Sequence, residues 1–185
     1  MREDIGMVAQ VRQARPDDAA PIATVHVRSW QAAYQGLLPQ EYLDGLDPAD
    51  RIARWRDTLL AQGPEHGAGE PLRRVVVAVD GGTIRGFAAF GPTRDPDGDP
   101  QRTGEVYAIY LLPQSWGQGL GRMLMAATLG QLASAYVQAT LWVLDSNQRA
   151  RQFYARSGWT GDGSAKLDDS RGFAIPEVRY RRSLP

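Results

Sequence analysis

Residues 105–124 constrain this chain more than any other stretch: Glu-Val-Tyr-Ala-Ile-Tyr-Leu-Leu-Pro-Gln-Ser-Trp-Gly-Gln-Gly-Leu-Gly-Arg-Met-Leu. A strand-like run, Val106 to Leu112, stops at Pro113. Gly117, Gly119 and Gly121 then mark a turn, and an apolar-periodic helix follows through Leu120, Met123, Leu124, Ala127, Thr128, Leu129 and Leu132. Glycine lets the backbone approach a ligand closely and gather several N–H groups into one concavity. A helix start adds unpaired donors and the positive end of the helix dipole. Strand, glycine turn and helix start in this order suit a phosphate grip, although a flexible loop with spare glycines fits the same letters. Two familiar phosphate loops are excluded. A Walker loop needs Gly-Lys-Ser/Thr at its end, and a dinucleotide fingerprint needs a third Gly where this chain has Arg122 or Leu124.

A length of 185 residues fits one domain with a sizeable core, and 43% hydrophobic with 23% charged residues is ordinary for a globular chain. Lys plus Arg and Asp plus Glu both number 21, so no net field favours nucleic acid. The absence of cysteine excludes disulfides, thiolate metal sites and a Cys nucleophile. Two histidines, His26 and His66, make a His-based metal site unattractive, and no metal is expected. No apolar run reaches membrane-spanning length, and Met1 to Met7 is too polar for a signal peptide. These features place the chain with soluble cytoplasmic proteins, with no membrane partner, residues 1–7 as a disordered tail and residues 8–184 as one domain.

Along the chain, Val8 to Arg15 reads as a strand. Pro16-Asp17-Asp18 opens a helix with either aspartate as cap, and Ile22, Ala23, Val25, His26, Val27 and Trp30 form its apolar face. Pro39 starts a short helical piece, and Asp47-Pro48 leads into a helix carrying Ile52, Trp55, Leu59 and Leu60. Residues 62–71 are a Gly/Pro/Glu loop. Asp80-Gly81-Gly82 joins two strands as a hairpin. Asp95, Asp97 and Asp99 alternate like a calcium loop, but the neighbouring prolines and the missing distal Glu make this a mobile, solvated loop. Ala139 to Leu144 is a strand, and Ser146-Asn147 caps a helix that Gly158 closes. The tail from Trp159 reads as a Gly/Asp loop and a last strand from Glu177, with Arg179, Arg181 and Arg182 on a solvated face. The sum is a mixed sheet with helices on its faces, an α/β (α+β) sandwich.

Glu105-Val-Tyr-Ala-Ile-Tyr-Leu-Leu-Pro, Trp116-Gly-Gln-Gly-Leu-Gly and Asn147-Gln-Arg-Ala-Arg-Gln-Phe-Tyr-Ala-Arg-Ser-Gly-Trp together resemble the GNAT superfamily of acetyl-CoA-dependent N-acetyltransferases. The resemblance runs from about residue 8 to 184. It departs at Trp116, where the family usually has Arg or Gln. The resemblance implies a mostly antiparallel sheet with one splayed parallel strand pair. It places Ile109, Tyr110 and Leu111 along the pantetheine arm. Gly117, Gln118, Gly119, Leu120, Gly121 and Arg122 would surround the pyrophosphate, and Asn147 would also meet the cofactor. Tyr154 would point its hydroxyl at the CoA sulfur.

A phenol with a pKa of about 10 is protonated at neutral pH and can donate to a departing thiolate. The base position that some relatives fill with Glu is Trp142 here, which leaves Glu105 as the candidate proton acceptor. Trp30, Tyr34 and Tyr42 would line the acceptor pocket, and the aspartates of residues 92–104 would draw a cation to its mouth. Direct attack of an amine on the thioester suits a chain without Cys, whose only plausible partner for a Ser nucleophile is His26. The expected activity is acetyl transfer from acetyl-CoA to a small-molecule primary amine, by a monomer or homodimer. A protein or peptide acceptor and a non-catalytic acyl-CoA sensor are the alternatives.

Overall fold

The computed structural model describes residues 9–62 and 72–185. The expected tail and most of the 62–71 loop, His66 included, lie outside the described residues. The elements are β1 (Gln10–Gln13), α1 (Ala19–Ala33), α2 (Gln40–Asp44), α3 (Ala49–Leu60), β2 (Arg74–Asp80), β3 (Thr83–Pro92), β4 (Thr103–Leu111), α4 (Leu120–Ala133), β5 (Gln138–Leu144), α5 (Gln148–Arg156), β6 (Thr160–Asp168) and β7 (Ile175–Ser183).

Local chemistry explains the junctions. Gly81 and Gly82 take φ of 57° and 76°, the left-handed pair that a two-residue hairpin between β2 and β3 demands. Asp47 accepts the Ala49 N–H at 2.8 Å and so starts α3. Asp18 behaves differently from the expected cap. Its carboxylate turns back to accept the Arg15 N–H at 2.7 Å and the Arg12 guanidinium at 2.6 and 2.9 Å, fixing the turn before α1 instead of capping it.

The strands form one seven-stranded sheet in the order β1-β2-β3-β4-β5-β7-β6. All neighbours are antiparallel except β4 and β5, which α4 connects in parallel. Helices cover both faces. Val76 and Ala78 of β2 point toward the core under α4 and α5, with Phe90, Val106, Leu124 and Leu141. Val75, Val77 and Val79 point the other way, toward Ile22, Val25 and Leu59 of α1 and α3. Burial on both faces is why β2 reads as an unbroken apolar run.

Two expectations for the tail and one for the aspartate loop are corrected. Thr160–Asp168 is not a loop but the edge strand β6, paired with β7. Its glycines serve a register shift between Gly161 and Ala165, where an edge strand tolerates irregularity. Arg179 is not solvated: its side chain is only 5% exposed. It holds Asp97 through two bonds of 2.7 and 2.8 Å, Asp95 at 3.1 Å, Asp162 at 2.8 Å and Ser164 at 2.8 Å. The 92–104 loop is therefore clasped to β6 and β7, and Asp95 and Asp97 have their cation already.

Removing one partner from such a cluster strands buried charge. Arg179→Ala should destabilise the fold by about 3–5 kcal/mol, read by urea denaturation, because buried Asp95 loses its counter-charge and Asp162 keeps only Arg181 at 3.2 Å. A loss below about 1 kcal/mol would mean that the clasp is a solvent-screened surface pair.

Candidate active site

The site begins where β4 and β5 part. They pair over only four positions, Thr103 with Gln138 through Val106 with Leu141. β4 continues to Leu111 against β3, and β5 to Leu144 against β7. Past Val106 the edge that each strand turns to the other has no strand to bond. A cavity of about 960 Å³ occupies this split, a size typical of small-molecule sites.

At one end lies the glycine turn. Gly117 and Gly119 have φ of 77° and 87°, and a Cβ at either would meet no close protein atom, so the space above them is open. Among the described residues, the backbone N–H groups of residues 117–121 have no hydrogen-bond acceptor. These consecutive free amides sit at the N-terminus of α4, where dipole and donors favour an anion. Gly117, Gly119, Gly121 and Arg122 line the cavity. The side chains of the other two expected residues point away. Gln118 donates to the Gln114 carbonyl at 2.7 Å, and Leu120 is buried in the core, so only their amides are available. Trp116 anchors the turn by donating from Nε1 to the Leu111 carbonyl at 3.0 Å, and Arg149 stacks on its ring at 3.7 Å.

α5 forms one wall. Asn147 caps it, accepting the Ala150 N–H at 3.1 Å. Seven residues on, Tyr154 lies on the same side and lines the cavity together with Ile109 and Leu111 of β4. Burial raises the Tyr154 hydroxyl well above an ordinary phenol, so it stays protonated at any working pH.

Glu105 also lines the cavity, from the closed end of the split. Its side chain is 3% exposed and both oxygens are engaged by Arg94, through the guanidinium at 2.6 Å and the backbone N–H at 2.7 Å. Trp142, on the neighbouring strand, donates from Nε1 to Asp95 at 2.8 Å.

The face opposite α5 is aromatic. Trp30, Tyr34 and Tyr110 line it; Trp30 and Tyr34 meet edge-on at 4.9 Å. Tyr42 is not in the wall. It stands behind Trp30, edge-on to Phe173 at 5.0 Å. Tyr110, expected along the cofactor arm, presents its ring to this aromatic face, stacked on His26 at 5.4 Å.

The Acetyltransferase (GNAT) family model matches residues 29–159. The chain belongs to this family. It is 34% identical over 139 residues to the uncharacterized N-acetyltransferase YuaI of Bacillus subtilis, covering 74% of this chain and 72% of that protein. The fold superposes on PaiA N-acetyltransferase of Thermoplasma acidophilum in complex with coenzyme A, with TM-score 0.72, 16% identity and coverage of 96% and 100%. It also superposes on YncA, a putative acetyltransferase of Salmonella typhimurium with its cofactor acetyl-CoA, with TM-score 0.69, 20% identity and coverage of 96% and 95%.

The split between β4 and β5 lies within the matched residues 29–159. Several polar residues of its walls were not singled out from sequence: Arg94, Lys166, Asp168, Arg171 and Glu177. Each comes from a loop or from the β6–β7 region, and no motif marks them. Among the described residues, no group of three His, Asp or Glu side chains is placed to hold a metal, and no helix is long and apolar enough to cross a membrane.

His26 lies behind the aromatic face of the cavity, packed among Trp30, Trp55, Phe87 and Tyr110. Trp55 donates from Nε1 to its Nδ1 at 3.3 Å, which assigns the proton to Nε2, and burial followed by the field of Arg51 lowers its pKa to about 3. The folded protein keeps His26 neutral while the unfolded chain takes up a proton near its ordinary value of about 6.5. The stability it contributes is complete above that value and is lost as pH falls toward 3. An NMR titration should show the His26 ring resonances flat from pH 8 to 5; a midpoint near 6.5 would contradict the burial.

Proposed function

We propose that this acetyltransferase binds acetyl-CoA along the β4–β5 split and transfers the acetyl group directly to the primary amine of a small molecule. The observation that carries the proposal is the continuity of one cavity. It runs from free amides at a helix start, past a buried phenol, to an aromatic face. That face favours a compact amine with an apolar or aromatic body over an extended peptide, and the phenol has no purpose in a mere acyl-CoA sensor.

In this reading the amides of residues 117–121 and the Arg122 guanidinium hold the pyrophosphate, and the unpaired edge of Ile109 to Leu111 holds the amide-rich arm as an added strand would be held. Backbone N–H groups of the split stabilise charge that develops on the thioester oxygen. Tyr154 gives a proton to the sulfur as the carbon–sulfur bond breaks. Its raised pKa guarantees that the proton is present, so Tyr154 imposes no fall in rate up to about pH 10. Holding both reactants in one cleft supplies much of the acceleration.

Gly119→Ala tests the cofactor grip. The added Cβ would meet only the Arg122 guanidinium, at an ordinary contact distance of 3.9 Å, so the cost to folding is the strain of about 1–2 kcal/mol at a left-handed position. The methyl group would stand where phosphate approaches the backbone. Calorimetry should show CoA affinity weakened by at least about tenfold; unchanged affinity in the folded variant would remove the turn from the site.

Tyr154→Phe tests the chemistry. The turnover number should fall by about 10- to 10⁴-fold, the range of a lost general acid, while CoA affinity holds within about twofold. A wild-type turnover number would make Tyr154 a packing residue.

A further inference from the structure

Four carboxylates line the cleft: Asp95 and Asp168 are paired with Arg179 and Arg171, while Glu105 and Glu177 are held very differently from each other. Glu105 is gripped at 2.6 and 2.7 Å by Arg94, the short charge-assisted geometry of a fixed pair. Glu177, on β7, opposes Leu144 at the open end of the split. Its side chain is 21% exposed and lines the cavity, and among the described residues its one ion pair is with Lys166 Nζ at 3.4 Å. Lys166 is also drawn to the Trp142 ring at 4.0 Å.

We propose that Glu177 is the carboxylate that docks the acceptor's ammonium group and takes its proton, in place of Glu105. This inference rests on the acetyltransferase reading above. A base must have a free acceptor atom facing the substrate. Both Glu105 oxygens are occupied, whereas Glu177 opens on the face built by Trp30, Tyr34 and Tyr110.

The surroundings fit that task. Tyr34, at the C-terminal cap of α1, and Tyr110 line the same cavity as Tyr154 and Glu177. Burial holds the Glu177 carboxyl above the ordinary range, ahead of the opposing pull of Lys166; Asp168 and Arg171 add smaller opposite effects. A carboxylate raised in this way is a better base near neutral pH. The aromatic walls would attract the same ammonium.

The step balances without another reagent. One ammonium proton passes to a Glu177 oxygen and leaves a neutral amine. The nitrogen lone pair forms the bond to the thioester carbonyl carbon. The carbon–sulfur bond breaks with its electron pair on sulfur, which takes the Tyr154 proton. The second surplus proton on nitrogen returns to Tyr154, and Glu177 releases its own to water. One ammonium and one acetyl-CoA become one amide, one CoA thiol and one proton.

The test compares rate–pH profiles of wild type, Glu177→Gln, Glu105→Gln and Lys166→Gln. The probe is whichever of tyramine, 2-phenylethylamine, tryptamine and hexylamine the wild type acetylates fastest. Glu177→Gln should lower kcat/KM at neutral pH by about 10²–10⁴-fold and recover as pH approaches the amine's own pKa. Glu105→Gln should depress the rate by one factor at every pH. Lys166→Gln should keep its activity at high pH and move the acidic limb upward, because the carboxylate loses a stabilising cation. If the Glu177–Lys166 pair were only structural, its two variants would instead behave alike with no shift in profile, and that result overturns the inference. Carboxyl-carbon NMR, with Glu177→Gln assigning the signal, gives a reading independent of turnover: Glu177 should titrate above the ordinary carboxylate range, and an ordinary or lower midpoint overturns it. Failure of all four amines would count against the acceptor proposed above, and the NMR midpoint would still decide the status of Glu177.

Discussion

The site depends on the early end of the β4–β5 ladder. A parallel pair that continued to Leu111 and Leu144 would satisfy its own amides and leave no cleft. Ending the pairing at Val106 and Leu141 instead leaves two facing edges of backbone donors and acceptors inside the protein. Such groups cost free energy unless something bonds them. The flanking pairings, β3 with β4 and β5 with β7, continue past the split and hold it open. The unpaired edges are therefore set by the sheet itself and not by a loop.

What the sequence made legible was local. The glycine turn, the Asn147 cap and the Gly81–Gly82 hairpin each follow from a few adjacent residues, and each stands where expected. Long-range pairing was not legible. Arg179 finds Asp97 across 82 positions of chain and Asp95 across 84, and nothing near Arg179 distinguishes it from the more exposed Arg181. β6 escaped for a related reason. An exposed edge strand with Gly161, Asp162 and Gly163 carries the composition of a loop, and only its pairing with β7 makes it a strand. The same limit applied inside the cleft: Glu105 was visible as a charge entering an apolar strand, but the Arg94 that occupies it comes from the loop above.

Trp142 shows how these distant pieces meet. Its position carries no carboxylate, yet its indole meets three charged side chains from three different segments. Nε1 binds Asp95, Arg179 lies 5.5 Å from its ring, and Lys166 lies 4.0 Å away over the same ring. The aspartate loop, the β6–β7 hairpin and β5 are thus tied at one side chain. The indole donates one neutral hydrogen bond and attracts two cations with its face. By drawing Lys166 toward its ring, Trp142 helps to keep that cation from closing on Glu177 at a full ion-pair distance. A charged residue at position 142 would instead compete for Lys166 or Arg179 directly. The charge pattern of the cleft follows from this arrangement. The carboxylate deep in the split, Glu105, is neutralised by a tight arginine at 2.6 Å, and Glu177 at the open end meets Lys166 at the longer distance of 3.4 Å.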